Sequence, residues 1–381
     1  MAVRANKPAF NIREKLKELT HSIGLKGREL MSAATVQEAR ELVSAGRKNL
    51  IINGDMRIAQ RSNSATAIHN TYNTLDRWNT QINYGSGTIA MSQASSSPPG
   101  FFKSLQYYNN TNATSPQYHF VEQKIEAQNI PQLKMGTSDA EYMTLSFWVR
   151  SSVTGTFNVE LTDDDESHHV IKRYTINSAD TWEYKTITFP PATNTGTPTY
   201  DNSMGLTVAW WISGGSGYSG TSADGTWQTP VASARRNDGG NTVFEDPDYW
   251  QLTGVQLEVG KNATDFEYRS HGEELALCQR YYEKIQPSNR VQGKMHTVTQ
   301  AHFSLPFKVT KRTTASVVPG DCAYTSIFDG TNSYTSSVSF TDDGIGAYDV
   351  TFRLNLSSNF AGTLYRNIAG YGLVCGVSAE L

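Results

Sequence analysis

The spacing of apolar residues changes at residue 49, and this change is the strongest constraint on the fold. Before it, apolar residues recur at helical intervals. After it, apolar and polar residues alternate along short segments separated by Gly, Ser, Asp and Pro clusters. A sustained period of two predicts a mainly β chain whose antiparallel strands pack as a β-sandwich.

The predicted strands fall into two groups joined by one helix. The segment 49–62, "NLIINGDMRIAQRS", is expected to open the sandwich as its first strand, with Asn53-Gly54-Asp55 as a turn. The helix is predicted over 272–285, with Leu275, Cys278 and Tyr282 along one side. The strands that alternate most clearly are 118–127, 142–150, 155–162, 168–176, 181–189, 204–213 and 249–259, and strands return within 286–381.

The first 48 residues are predicted to form a stem of two short helices. Asn11 and Thr35 are the expected N-caps, because each has a Glu three residues later. Helices this short, with narrow apolar stripes, are marginal alone in water and need a sister chain or a larger assembly. Ten Lys/Arg against five Asp/Glu leave two readings open, contact with an acidic partner or a solvated helical surface. The two stripes are Ile12, Leu16 and Leu19, and Val36, Ala39 and Val43.

Composition and motifs argue against several classes of protein. Three cysteines form neither a disulfide framework nor a metal-ligand pattern, so we expect reduced thiols and assembly in a reducing cytoplasm. The sequence has no signal-peptide pattern and no apolar run long enough for membrane insertion. It has no nucleophile elbow, Walker loop or zinc-protease motif, so we predict that it is not an enzyme. The β region is net acidic, which disfavours nucleic acid as a partner.

Polar and aromatic residues collect on the side of the strands opposite the predicted core. In 142–150, for example, Leu145 and Phe147 point one way and Trp148 the other. Aromatic rings with polar neighbours suit a saccharide, whose C–H faces stack on the rings while its hydroxyls find hydrogen bonds. Packing of the tryptophans against a loop or a neighbouring protomer is the alternative. The candidate carbohydrate-binding residues are Trp148, Arg150, Glu160, Trp211 and Gln256.

Four segments together resemble bacteriophage tail-fibre and related virion fibre proteins. "LMSAATVQEARELVSAG" (30–46) resembles the Ala-rich linker that precedes the distal part of such fibres. The opening "NLIINGDMRIAQRS" with "LDRW" (75–78) resembles the start of a β-sandwich common in them. "LTGVQLEVGKNATDFEYRSHGEELALCQRYYEK" (252–284) is similar to the closing strand and connector of that module, and "GVSAEL" matches their C-terminal ending.

The resemblance implies a jelly-roll, carbohydrate-binding-module-like domain in a virion structural protein. Its opening segment and final strand would lie close together, and some such modules hold a structural calcium there. Asn53, Asp55 and Glu258 are the candidate ligands, with turn hydrogen bonding by Asp55 as the alternative; no other cofactor is implied. The expected domains are 1–48 for virion attachment or trimerisation, 49–270 for the jelly roll, 271–285 for a connector helix and 286–381 for a C-terminal β-sandwich.

The expected function is host-surface adhesion, to glycans, by a homotrimer located in the virion. Its partners would be sister chains, other virion proteins bound through residues 1–48, and a host cell-surface glycan. Weak sugar contacts repeated over three chains would give useful avidity. The alternatives are a head decoration or a tail or baseplate connector that binds no ligand, and a polysaccharide-degrading enzyme.

Overall fold

The computed structural model describes most of the chain from Lys48 onward. The predicted stem helices, with the stripes of Ile12, Leu16 and Leu19 and of Val36, Ala39 and Val43, lie outside the described residues. Asn49–Leu381 form one compact unit. The described residues are 48–66, 70–83, 86–114, 118–214, 217–218, 224–231, 235, 248–285, 291–297, 300–323, 326–328, 333–334, 340–345, 349–355, 367–371 and 374–381.

Two antiparallel sheets form the first part of this unit, and the chain crosses repeatedly between them, as in a jelly roll. In sheet order, the six-stranded sheet contains Ser64–Thr66 (β1), Ser86–Ala94 (β3), Ser104–Thr114 (β4), Tyr249–Val259 (β11), Met143–Ser151 (β6) and Glu183–Phe189 (β9). The five-stranded sheet contains Asn79–Asn83 (β2), Tyr118–Glu126 (β5), Met204–Gly214 (β10), Gly155–Asp163 (β7) and His169–Ile176 (β8). Two short 3₁₀ helices, Ala127–Asn129 and Pro131–Leu133, follow β5.

Two further antiparallel sheets follow a single α-helix, His271–Gln279 (α1). The three-stranded sheet contains Tyr282–Ile285 (β12), Val374–Ser378 (β21) and Ser316–Ala323 (β15). The seven-stranded sheet contains Ser333–Tyr334 (β17), Ser326–Phe328 (β16), Asn367–Tyr371 (β20), Val291–Thr297 (β13), Gln300–Pro306 (β14), Asp349–Asn355 (β19) and Phe340–Ile345 (β18). The mainly β architecture predicted from the period of two is confirmed, while the domain limits at 270 and 286 stay a prediction.

The sandwich core fills the space between the first two sheets. Phe147 of β6 and Trp210 of β10 meet across it with ring centroids 5.9 Å apart, and Trp78 lies 5.5 Å from Trp210. All three are completely buried. Burial of side chains this large supplies about 2–3 kcal/mol each, so the alternation that turns them inward stabilises both sheets together. The neighbouring residues Trp148 and Trp211 therefore face outward, each from its own sheet.

The opening segment is a turn rather than the expected strand, since the described strands begin with β1 at Ser64. It nevertheless attaches to β11, as the resemblance implied. Leu50 N–H donates to the Leu257 carbonyl at 2.9 Å, and Val255 N–H donates to the Gly54 carbonyl at 3.0 Å. Asn53 adopts a left-handed conformation with φ of 58°, which Asn tolerates better than most residues. Pairing with β11 in this bent conformation replaces a regular strand.

The connector helix is shorter than predicted. Ser270 and Glu273 form a capping box at its start, and Cys278 is buried on its inner side against Ile52 and Ile58. The helix ends at Gln279, and 282–285 form β12 instead of the predicted fourth helical turn. Pairing of β12 with β21 outweighs the helical period of this segment.

Buried charged contacts join the sandwich to the last residues of the chain. Arg77, which is fully buried, forms an ion pair with Glu380, and its guanidinium lies 3.5 Å from the Tyr281 ring. Arg61 pairs with the same carboxylate at 3.0 Å. Since breaking a buried pair leaves an uncompensated charge, these contacts keep the two parts of the unit together. Among the described helices, none has the length and apolar character of a membrane span.

Substitution of Gly54 should weaken the fold at the attachment of the opening segment. An added Cβ would lie only 2.2 Å from the Val255 carbonyl oxygen, so Gly54→Ala must displace backbone. We expect a loss of about 1–3 kcal/mol in the free energy of unfolding, measured by urea denaturation. Gly196→Ala is the matched control, because nothing lies within 4 Å of its added Cβ. Equal stability of the two variants would contradict this packing.

Candidate functional site

The predicted carbohydrate-binding residues are divided between two sheets, so the single binding surface assumed from the sequence is wrong. Trp148 and Arg150 lie on β6 and Gln256 on β11, in the six-stranded sheet. Glu160 lies on β7 and Trp211 on β10, in the five-stranded sheet. The prediction of inward and outward residues along each strand was correct. It could not reveal which strands belong to the same sheet.

The outer face of the five-stranded sheet carries a cleft of about 310 Å³ with an aromatic floor, here called the aromatic cleft. The Trp211 and Phe120 rings pack against each other with centroids 4.8 Å apart and an angle of 33° between their planes. The Tyr118 and Tyr218 rings pack edge to face against each other, with centroids 5.3 Å apart. Both tyrosines are half-buried, while Trp211 is only 1% exposed. The ligand-accessible rings are therefore the tyrosines, and Trp211 supports them.

A buried carboxylate organises one side of the aromatic cleft. Glu160 accepts a hydrogen bond from the Trp211 indole N–H at 2.8 Å and two from Arg235, at 3.0 and 3.1 Å. Its third partner is His169, whose Nδ1 lies 2.6 Å from Oε1. Burial by itself would raise the pKa of Glu160, but hydrogen bonding with His169 and the charge of Arg235 outweigh it and lower the pKa. Glu160 is thus a structural anchor that fixes Trp211 and Arg235.

A second buried carboxylate, Glu122, lines the same cleft and has a free acceptor. The side-chain amides of Asn79 and Gln81 both donate to Oε1, at 3.0 and 3.2 Å. Within the described part of the chain, no hydrogen bond reaches Oε2. Burial raises the pKa of Glu122, against the opposing effect of Lys124. A ligand hydroxyl donating to Oε2 would complete the hydrogen bonding of this carboxyl group.

Sequence reasoning missed five residues that shape the aromatic cleft: Tyr118, Phe120, Glu122, Tyr218 and Arg235. The first three alternate outward along β5, in a segment that the sequence did predict as a strand. Their spacing was a usable signal, since Val121 between them is buried in the core. Arg235 had no such signal, because it reaches Glu160 from a residue 75 positions away.

Arg150 and Gln256 have structural partners on the six-stranded sheet. Arg150 donates to the Asp180 carbonyl at 2.9 Å and to Gln251 at 3.1 Å. Gln256 is fully buried, and its side-chain oxygen accepts a hydrogen bond from the backbone N–H of Glu267 at 2.8 Å. Neither residue lines the aromatic cleft or the groove beside Trp148.

The three candidate calcium ligands are each occupied by protein groups. The Asn53 side-chain amide donates hydrogen bonds to the Ile58 and Asp76 carbonyls, and its oxygen accepts from the Ile58 N–H. Asp55 forms an ion pair with Arg57, and Glu258 accepts from the Thr264 N–H at 2.8 Å and its hydroxyl at 2.6 Å. Asp55 Oδ1, however, is buried and has no hydrogen-bond partner among the described residues, so the calcium site stays a prediction.

Comparison with known proteins gives matches at the level of structure only. No protein-family model matches the chain, and no curated protein does. It is similar to the carbohydrate-binding module TmCBM61 in complex with β-1,4-galactotriose, with 8% identity and a TM-score of 0.30 over 56% of this chain and 99% of that one. It is also similar to a family 11 carbohydrate-binding module from Clostridium thermocellum in complex with a β-1,3-1,4-mixed-linked tetrasaccharide. The identity is 10% and the TM-score 0.27, over 54% of this chain and 99% of that one. A third similar structure is a family 30 carbohydrate-binding module, with 7% identity and a TM-score of 0.25 over 57% of this chain and 96% of that one.

Removal of the Glu160 carboxylate should destabilise the cleft. Glu160→Ala leaves Arg235, His169 and the Trp211 indole without their shared acceptor, and we expect a loss of about 3–5 kcal/mol in the free energy of unfolding. Because the folded pKa is lowered, this stabilisation is complete above the unfolded pKa and is lost as pH falls below about 4. Urea denaturation between neutral and acidic pH measures both effects.

The exposed Lys134–Glu141 pair provides a control for this substitution. Glu141→Ala should leave the unfolding midpoint nearly unchanged, because solvent screens that pair. If Glu160→Ala behaved like Glu141→Ala, the anchoring role of Glu160 would be excluded.

Proposed function

We propose that this chain is a fibre-like phage virion protein that binds host-surface glycans through the aromatic cleft, without covalent chemistry. The virion assignment is supported by the four segments that resemble phage fibre proteins, above all 252–284. Attachment to other virion proteins through residues 1–48 and assembly as a homotrimer belong to the same proposal. Assembly in the host cytoplasm is part of the same proposal.

The observation that carries glycan binding is the pairing of tyrosine rings with buried polar groups in one cleft. Tyr118 and Tyr218 offer ring faces for the C–H surface of a sugar. Glu122 offers an acceptor, and Arg235, held by Glu160, offers a fixed cation at the other side. Since Glu160 already holds Arg235 and Trp211, little side-chain entropy is lost when a ligand binds.

A binding function is favoured over glycoside cleavage by the state of these carboxylates. Cleavage requires one carboxyl group as acid and another as base or nucleophile. Glu160 is committed to His169, Trp211 and Arg235, and none of these contacts is open to a reacting sugar. The other two carboxyl groups of the cleft are Glu122, which is buried against Asn79 and Gln81, and Glu166, which is exposed, and we assign no acid–base pair to them.

Loss of either tyrosine ring should weaken attachment while the fold is kept. We expect Tyr118→Ala and Tyr218→Ala each to reduce binding of the full chain to host cells by about three- to tenfold, the value of one aromatic contact. Flow cytometry with labelled protein and the bacterium that the particle infects measures this. The control is Tyr200→Ala, since Tyr200 is 42% exposed and lines neither the cleft nor the groove.

Three results would count against the proposal. Unchanged cell binding by both tyrosine variants would remove the aromatic cleft from adhesion. Wild-type protein that binds neither host cells nor their extracted polysaccharide would favour a connector or decoration role. Immunogold labelling that fails to find the protein on intact particles would exclude the virion assignment, and sedimentation equilibrium tests the trimer separately.

A further inference from the structure

We propose that the outer face of the six-stranded sheet holds a second saccharide site, selective for neutral sugar chains. This site, here called the sheet groove, lies around Trp148 and has a volume of about 710 Å³. It goes beyond the proposed function, because it lies on the sheet opposite the aromatic cleft and shares no lining residue with it. The residues that carry the argument are Phe101, Ser146, Trp148, Tyr184, Thr186 and Tyr268.

The sheet groove presents rings that no part of the described chain covers. Tyr184 is 46% exposed and packs against Trp148 with centroids 5.4 Å apart. Tyr268 is 61% exposed and lies 5.7 Å from Phe101. Large aromatic side chains left this exposed on a folded surface indicate an interaction site. Their geometry gives two ring platforms along one groove, which suits an extended ligand.

Unused hydrogen-bonding groups lie at the same rings. Ser146 is only 2% exposed and lines the groove, yet its hydroxyl has no hydrogen-bond partner among the described residues. The Thr186 hydroxyl, the Trp148 indole N–H and the Tyr184 hydroxyl likewise have none in the described part of the chain. Ser146 is buried and Trp148 half-buried, while Tyr184 and Thr186 are exposed, so these groups are open to a ligand that both donates and accepts. Ring faces beside both hydrogen-bond donors and acceptors match a sugar better than an apolar peptide.

Charge separates the sheet groove from the aromatic cleft. Asp265 is the one residue charged at neutral pH among the described residues that line the groove. Glu122, Lys124, Glu166 and Arg235 all line the cleft. A charged sugar would have few complementary charges in the groove and would lose hydration there. The sheet groove therefore selects an uncharged chain of hexoses.

The wall of the groove is fixed before a ligand arrives. Gly254, with φ of 61°, lies beneath Phe101, and a Cβ there would come within 2.7 Å of that ring. The Gln256 side chain fixes the segment 265–267 by two hydrogen bonds. Its Nε2 donates to the Asp265 carbonyl at 3.3 Å, and its Oε1 accepts from the Glu267 N–H at 2.8 Å. A preformed groove of this volume falls in the range of known ligand sites, and little order has to be gained on binding.

A glycan array with substitutions in each site tests the inference. The full chain carrying Tyr118→Ala, which impairs the aromatic cleft, is applied to printed neutral oligosaccharides of glucose, galactose and mannose. We expect it to bind at least one of them, and we expect added Tyr184→Ala or Trp148→Ala to weaken that binding by about three- to tenfold. Added Tyr200→Ala is the control and should have no effect. Thermal denaturation confirms folding, and exposed Tyr184 keeps the test valid if Trp148→Ala unfolds.

The outcomes for the two sites are separable. If no neutral saccharide shows binding that depends on Tyr184 or Trp148, the sheet groove is not a saccharide site, whatever happens at the aromatic cleft. If Trp148→Ala lowers the sedimentation coefficient without changing saccharide binding, the groove joins copies of this chain and the inference is overturned. Loss of host-cell binding in Tyr118→Ala alone concerns the proposed function and leaves the groove unaffected.

Discussion

A β-bulge in β11, between Thr253 and Gln256, is the feature on which the rest of the sandwich depends. The extra residue interrupts pairing with β6 and leaves backbone groups of Val255 without strand partners. The opening segment takes them, because Gly54 accepts from Val255 N–H and the Asn49 side chain donates to the Val255 carbonyl. One irregularity thus binds the first described residues to the last strand of the jelly roll.

The same bulge shapes the surface above it. Gly254 adopts a positive φ, which lets Phe101 lie against the sheet where any side chain would block it. Gln256 then points to the segment 264–267 and fixes it beside Trp148. The β-bulge that attaches the opening segment therefore also forms one wall of the sheet groove. Closure of the fold and formation of the groove are physically coupled.

The two outer faces use different chemistry on a common scaffold. On the five-stranded sheet, Glu160 and Glu122 bring buried carboxyl groups to an aromatic floor, and Arg235 pairs with the first of them. On the six-stranded sheet, exposed rings lie beside uncharged hydroxyls such as those of Ser146 and Thr186. A sandwich can carry such different surfaces because each strand contributes alternate residues to a shared core and to its own outer face.

Sequence alone determined which residues turn inward, because the period of two is a property of the extended backbone and needs no partner strand. Leu145 and Phe147 are assigned to the core on that basis, and both are buried. Only the tertiary structure decided that Trp148 and Trp211 lie on opposite sheets, since sheet membership depends on long-range pairing. It also decided that Asn53, Asp55 and Glu258 bind protein groups, and that Arg235 reaches Glu160, because contacts between distant residues leave no local pattern.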